Sequence, residues 1–339
     1  MPSALPADPE PDPAPDPARH GLRRRSLLAL ASGLALAACG SNGSDGPARA
    51  GGPGSADGGT RTVRHARGES TVPARAARVV VLDTDALDSA VTLGVTPVGA
   101  TVVAEGAPLS GYLPAARLAG TRTVGTIGQP DLEAVAALRP DLILSNQVRD
   151  DKRYDELSKI APTVLTRTTG PAWKENVRLH AEALGRESEA AAAEAAYRAR
   201  AAELVAALGG PQKAAATRVE LARFLAGAPT RLYLNDTFAG SVFKDLGLGR
   251  PANQDKAGFS IEISPEQVDQ AAADVIFYSV YGDPARSDQK KIMAGPLWKN
   301  LDAVRGGRVF AVDDGLWMLG IGYTGAGLVL DQIRRDLVG

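Results

Sequence analysis

Along the 339-residue chain, apolar residues gather in two different ways. Between Ser26 and Ala38 they form one uncharged run of about 12 leucine- and alanine-rich positions behind Arg23, Arg24 and Arg25, too short for the roughly 20 helical residues that a ~30 Å hydrocarbon core demands. From Thr62 onwards they recur as short blocks separated by amphipathic segments. Thr62–Val72 reads as a hairpin, and Arg78–Leu82 and Thr96–Val103 as strands around a helix over Asp83–Leu93. A helix over Leu132–Leu138, acidic in its first turn and stopped by Pro140, leads into a strand at Leu142–Leu144. A helix over Tyr154–Ile160 and a strand at Thr163–Leu165 follow.

Between Ala172 and Leu208 the alanine density favours helix, with a break or bend at Gly185. The part from Glu187 to Leu208 would be ~33 Å long, which suits either a rigid strut between two lobes or an ordinary surface helix. Strands are then predicted at Arg218–Leu225 and Arg231–Leu234, flanking Gly227-Ala-Pro-Thr230. A helix at Val242–Leu246, a strand at Asp274–Val280, a helix at Pro296–Val304, a strand at Arg308–Val312 and a closing helix at Thr324–Leu337 complete the pattern. Short-spaced alternation of this kind predicts an α/β fold of parallel sheets covered on both faces. The boundaries are an N-terminal lobe over 61–170, an inter-lobe helix over 171–210 and a C-terminal lobe over 211–339.

The amino-terminal run ends Leu36-Ala37-Ala38-Cys39, which resembles the lipobox of bacterial lipoproteins. Residues 1–38 therefore read as a signal peptide and Cys39 as the acceptor of a lipid. Arg24-Arg25-Ser26-Leu27-Leu28 fits a relaxed twin-arginine signal, and the general export route accepts the same basic flank. Residues 39–60 hold almost nothing apolar and read as a disordered linker; a Gly-rich coil of this length spans ~25 Å. The expected address is the extracytoplasmic face of the cell membrane, reached through the lipid. Loss of residues 1–38 removes four basic and four acidic residues, so the net charge stays at −1 and no net field favours nucleic acid. Cys39 is the only cysteine, which leaves no internal disulfide and no thiolate metal cluster.

An internal repeat carries the most information. Pro130-Asp-Leu-Glu133 begins a helix leading to Asp141-Leu-Ile-Leu144, and Ser264-Pro-Glu266 begins one leading to Asp274-Val-Ile-Phe277. Glu133 and Glu266 each precede the aspartate by eight positions. Each glutamate either complements its helix dipole, worth ~0.3–1 kcal/mol, or marks an equivalent surface of two similar lobes. These segments, with Val124-Gly125, Leu138-Arg-Pro-Asp-Leu-Ile143, Ile160-Ala-Pro-Thr-Val164, Arg218–Phe224, Gly240–Gly247, Pro296-Leu-Trp298, Trp317 and Gly322, resemble the receptors of iron–siderophore import systems, the ferric hydroxamate and ferric citrate group. The resemblance runs from about Thr62 to Gly339 and implies a class III periplasmic-binding-protein-like fold, two parallel-sheet lobes joined by a long helix. It also implies a monomeric receptor without enzymatic activity. Its partners would be a ferric siderophore in a shallow cleft and an ABC transporter permease that meets one glutamate per lobe. Glu133 and Glu266 match those positions, with Glu262 as an alternative to Glu266.

A siderophore already wraps its iron in oxygen, so no cofactor, and no direct metal ligand, is expected; aromatic walls and a few cationic donors are. Residues just past the carboxyl ends of strands are Thr84 and Asp85, Asn146 to Arg149, and Tyr278 to Tyr281. Arg223 falls on the apolar face of its strand, as a ligand contact or as half of a buried ion pair. Trp173, Tyr233 and Trp317 are candidate walls, while Trp298 matches a packing position of the family. The hydroxamate-binding archetype has an arginine before its Pro-Asn-Leu-Glu segment and a tyrosine after the next strand; here Thr126-Ile-Gly-Gln129 and Asn146-Gln-Val-Arg149 stand there instead, which leaves the siderophore class open. A zinc or manganese receptor would need more histidines than His65 and His180. Haem and cobalamin receptors are alternatives of the same fold. A cell-envelope serine hydrolase is the alternative of another class, resting on the Ser287-Asp-Gln-Lys290 spacing, with Ser145-Asn-Gln147 and Lys256-Ala-Gly258 in the wrong order.

Overall fold

A computed structural model describes residues 59–339. The expected signal peptide, Cys39 and the expected linker up to residue 58 lie outside the described residues. Thr60, assigned to the linker from sequence, is the first residue of β1 (Thr60–His65), which pairs with β2 (Gly68–Pro73) as the expected hairpin.

Unbroken β-branched runs become the centre of a six-stranded sheet. Its members are β3 (Val79–Val81), β4 (Gly99–Val102), β5 (Arg122–Thr126), β6 (Gln129–Pro130), β7 (Leu142–Asn146) and β8 (Thr163–Thr166), in the order β6-β5-β4-β3-β7-β8. All neighbours are parallel except β5 and β6. The helices between them are α1 (Thr84–Thr92), α2 (Leu132–Ala137), α3 (Gln147–Asp150) and α4 (Tyr154–Ile160). Alternate residues serve opposite faces. Val79, Val81, Leu142 and Leu144 join the main core with α1, whereas Val80, Leu82 and Ile143 pack with Val135 of α2 and Leu157 of α4.

The inter-lobe segment expected over 171–210, with its break or bend at Gly185, is a helical hairpin of α5 (Trp173–Leu184) and α6 (Glu187–Ala207). Gly185 ends α5 in the left-handed region at φ 66°, and a Cβ there would also strike the Ala74 carbonyl oxygen, so only glycine suits the turn. Arg178 of α5 reaches back to Glu194 of α6 (3.0 Å). Ala190, Tyr197, Ala201 and Leu204 bury one stripe of α6.

After α7 (Pro211–Ala216) comes a five-stranded sheet of β9 (Val219–Leu225), β10 (Thr230–Tyr233), β11 (Ser260–Ile263), β12 (Val275–Tyr281) and β13 (Val309–Ala311), ordered β11-β10-β9-β12-β13. Here β9, β12 and β13 are parallel, but β10 runs antiparallel to both β9 and β11. The β9–β10 connection is too short for a crossover, since parallel neighbours need a dozen or more residues between them. Its helices are α8 (Phe238–Asp245), α9 (Gln289–Ala294), α10 (Pro296–Lys299), α11 (Asp302–Arg305), α12 (Asp314–Leu319) and α13 (Tyr323–Leu337), besides a 3-10 turn at Pro265–Ala271. The helix expected over Pro296–Val304 is split into α10 and α11 because Leu301 is extended, at ψ 138°, with its side chain in the core.

The internal repeat is physical. Asp141, just before β7, accepts from the backbone N–H groups of Ala77 (2.8 Å) and Arg78 (2.9 Å) ahead of β3. Asp274, just before β12, accepts from the backbone N–H of Arg218 (2.8 Å) ahead of β9 and from its guanidinium (2.7 Å). In both lobes one aspartate fixes where two parallel strands begin, and so where their opposite ends stop.

Candidate functional site

At those opposite, carboxyl ends each sheet carries a polar cluster, where open α/β sheets form their binding crevices. In the N-terminal lobe Asp83 caps α1, its Oδ1 accepting from Thr84 N–H (2.7 Å). Its Oδ2 accepts from Asn146 Nδ2 (2.7 Å) and Arg149 Nε (3.1 Å), which ties the end of β3 to the end of β7. Asn146 caps α3 by accepting from Arg149 N–H (3.0 Å). Of these three side chains only that of Arg149 reaches solvent, at 24% exposure against 2% for Asp83, while Asn146 is fully buried. Asp85 is also buried and accepts from Asn176 Nδ2 (3.0 Å). Burial, and then the charge of Asp83, pushes the Asp85 carboxyl up to about 7. Asp150 sits behind, accepting from Ser145 Oγ (2.6 Å) and Arg153 Nη1 (3.3 Å), with its pKa raised by burial.

In the C-terminal lobe the centre is a cation. Arg223 of β9 donates from Nε (2.8 Å) and Nη2 (2.7 Å) to the two carboxylate oxygens of Asp314, the first residue of α12. Burial opposes the arginine's charge, but the Asp314 bonds outweigh it and raise the pKa. Its Nη1 donates to Tyr233 Oη (3.3 Å), Ser279 Oγ donates to Asp314 (2.8 Å), and the guanidinium lies 4.4 Å from the centre of the Tyr281 ring. The inward arginine is thus half of a buried ion pair, stacked on a half-buried tyrosine beside the rim. Phe259, 37% exposed, meets Tyr233 edge-on at 5.2 Å.

Three aromatic assignments made from sequence are corrected. Trp173 is fully buried at the lobe junction, where Nε1 donates to Ser241 Oγ (2.8 Å) and its ring contacts Tyr197, Phe238 and Tyr323. Trp317 is fully buried against Phe243 and Phe277. Tyr233 is 3% exposed and backs Arg223 instead of lining a wall. With few aromatics available, the largest rings went to the core. Asp85, Asn146 and Arg223 likewise lie beneath the surface; Thr84, Arg149 and Tyr281 reach it, as do Gln147, Val148 and Tyr278 of the strand-end ranges. Asp83, Asp314 and Phe259 were not singled out, although Asp83 follows a strand directly and was legible on that ground; Ser279 fell within the strand-end range Tyr278 to Tyr281.

The paired glutamates are both exposed, and both are the second residue of their helical turns, behind the caps Asp131 and Ser264. A hydrogen bond from Ser264 lowers the pKa of Glu266. Glu262 is bonded to Arg231 (3.2 Å). Trp298 packs against Phe224 in the second lobe's core. Ser287 donates to the Pro284 carbonyl (3.0 Å). A groove of about 580 Å³ runs along α6 past Lys174, Tyr197 and Asp245, away from the strand ends. Among the described residues no group of three or more His, Cys, Asp or Glu is placed to hold a metal ion, and no helix is long and apolar enough to cross a membrane.

Comparison with known proteins adds four likenesses. The family model described as periplasmic binding protein matches residues 79–316. Over 288 residues the chain is 36% identical to the probable siderophore-binding lipoprotein YfiY of Bacillus subtilis, covering 81% of this chain and 87% of that one. The Fe(3+) dicitrate-binding periplasmic protein FecB of Escherichia coli is 30% identical over 262 residues, 76% of this chain and 83% of its own. Among solved structures, Staphylococcus aureus SirA complexed with staphyloferrin B matches with a TM-score of 0.73 at 33% identity, covering 82% of this chain and 98% of SirA.

Proposed function

The chain belongs to the periplasmic binding protein family, and from that premise we propose that it captures a ferric siderophore outside the membrane and delivers it to an ABC importer. The observation that carries the reading is the matched pair of arginine-bearing clusters at the carboxyl ends of the two sheets. Arg149 offers a solvent-facing guanidinium in one lobe; Arg223 with Tyr281 and Phe259 offers a fixed cation and aromatic surface in the other. A ferric complex whose metal is already coordinated needs those contacts and nothing that ligates iron directly. The names carried by YfiY, FecB and SirA support the same ligand class. Iron is therefore cargo, and binding and release suffice without a covalent step. Glu133 and Glu266 are assigned to docking on the permease, since two fixed carboxylates on separate lobes define orientation as well as attraction. Cys39 is assigned to the lipid anchor that keeps the receptor near its importer.

All three tryptophans are buried, so calorimetry reports binding more directly than their fluorescence. Titration with ferric carboxylate, hydroxamate and catecholate siderophores, with haem and cobalamin as controls, should give saturable heat with at least one ferric complex. Heat from haem or cobalamin alone would overturn the reading.

A further inference from the structure

Asp88 is fully buried in α1, five residues beyond the cluster residue Asp83, and takes no part in that cluster. Its carboxylate accepts four hydrogen bonds. Two come from nearby in the N-terminal lobe, Thr92 Oγ1 (3.0 Å) and Tyr112 Oη (3.1 Å). The other two are backbone N–H groups at the start of α13, Thr324 (3.2 Å) and Gly325 (2.9 Å). Thr92 Oγ1 also lies 2.7 Å from Thr324 Oγ1. A side chain from one end of the sequence thus caps a helix at the other, supplying both acceptor and negative charge to that helix's N-terminus. The approach depends on Gly322, where a Cβ would overlap the Asp88 carboxylate.

The far part of α13 belongs to the other lobe. Gln332 accepts from Trp317 Nε1 of α12 (2.9 Å) and donates to the Ala311 carbonyl of β13 (3.2 Å). Trp317 in turn lies 4.8 Å from Phe277 of β12. Asp314, which holds Arg223, opens the same short helix α12. A continuous set of contacts therefore leads from α1, whose first turn carries one half of the site, through Asp88 and α13 to α12, which carries part of the other half.

We propose that Asp88 is a positioning residue that sets the angle between the two lobes, and through it the alignment of Arg149 with Arg223. The effect on binding rests on the function proposed above; the lobe angle does not. The test uses the full chain with Cys39→Ser, so that only introduced thiols are labelled, and spin labels at Glu156→Cys and Lys299→Cys, both exposed, on the outer helices α4 and α10. Electron–electron distance measurements without ligand should give one narrow distribution in this background. Asp88→Asn should broaden it and displace its maximum, and should speed dissociation of a ferric complex. Thr92→Val, which removes one donor while keeping its shape, should move the distribution the same way by less, and it carries the test if Asp88→Asn does not fold. Distributions that superimpose on the parent in both variants, alongside lowered melting temperatures, would make Asp88 a stabilising cap only and overturn the proposal. If no variant, the parent included, binds any ferric complex, the functional reading fails while the distance result stands by itself.

Discussion

The two polar clusters occupy equivalent places in the repeat and are built with opposite charge at the centre. In the N-terminal lobe the buried groups are acids, Asp83, Asp85 and Asp150, with Arg149 and Arg153 towards solvent. In the C-terminal lobe the buried group is Arg223, and its acid comes from a different element, α12. Each lobe carries an arginine at its strand ends, but the two hold it differently. Arg149 has one bond to a carboxylate shared with Asn146, whereas Arg223 is gripped by two bonds and an aromatic face. The C-terminal half is thus built around a fixed, buried cation, and the N-terminal half around carboxyls, two of which, Asp85 and Asp150, are raised by burial.

The C-terminal half should be the easier to break. Asp314→Ala strands Arg223 in a buried setting and should cost about 3 kcal/mol in urea unfolding; a loss no larger than that of an ordinary surface substitution would mean the ion pair is not holding the lobe. The N-terminal half is tested by pH. Asp85 has an ordinary value of 3.8 and is raised to about 7 in the folded chain, so between these the native state binds the extra proton and stability falls as pH rises through the window. Asp85→Asn should therefore stabilise the protein more at pH 7 than at pH 5, by roughly 2 kcal/mol. His180 acts in the opposite sense: burial lowers it from 6.5 to about 3, so stability is lost as pH falls below 6.5, equally in both chains. Equal stabilisation at the two pH values would remove the titrating role. Arg149→Ala leaves Asp83 bonded to Asn146 and Thr84, so its stability cost should be only about 1 kcal/mol, with a much larger loss of affinity in calorimetry; unchanged affinity would confine recognition to the C-terminal lobe. Smallest in stability is Glu133→Ala with Glu266→Ala. Both side chains are exposed, so the pair should leave the urea midpoint essentially unchanged while abolishing siderophore-dependent iron uptake in cells; normal uptake would end the docking assignment.

What the sequence disclosed follows from the range of each signal. Strand–helix alternation, the hairpin, the break at Gly185 and the eight-residue offset of both Glu–Asp pairs are local and were legible. β5, with Arg122, Thr123 and Thr126 beside one buried valine, and β11, with Glu262 in four residues, lack the apolar block that marks a central strand. Asp314 lies 91 residues from Arg223, and no periodicity links them. Trp173, Trp317 and Tyr233 failed as cleft walls because a ring's identity says nothing about which face of its helix or strand it occupies.

The twin aspartate clamps also bear on how the chain folds. Asp141 closes a 63-residue separation to Arg78, and Asp274 a 56-residue separation to Arg218. By the logarithmic dependence of loop closure on length, the entropic cost differs by only about 0.1 kcal/mol. Neither lobe is favoured as the kinetic leader, and each can nucleate its own parallel pair. The contact between Asp88 and Gly325 spans 237 residues and joins elements of both halves. Docking of α13 is accordingly the step that waits for both, and a stopped-flow probe on that helix should report the slowest phase of refolding.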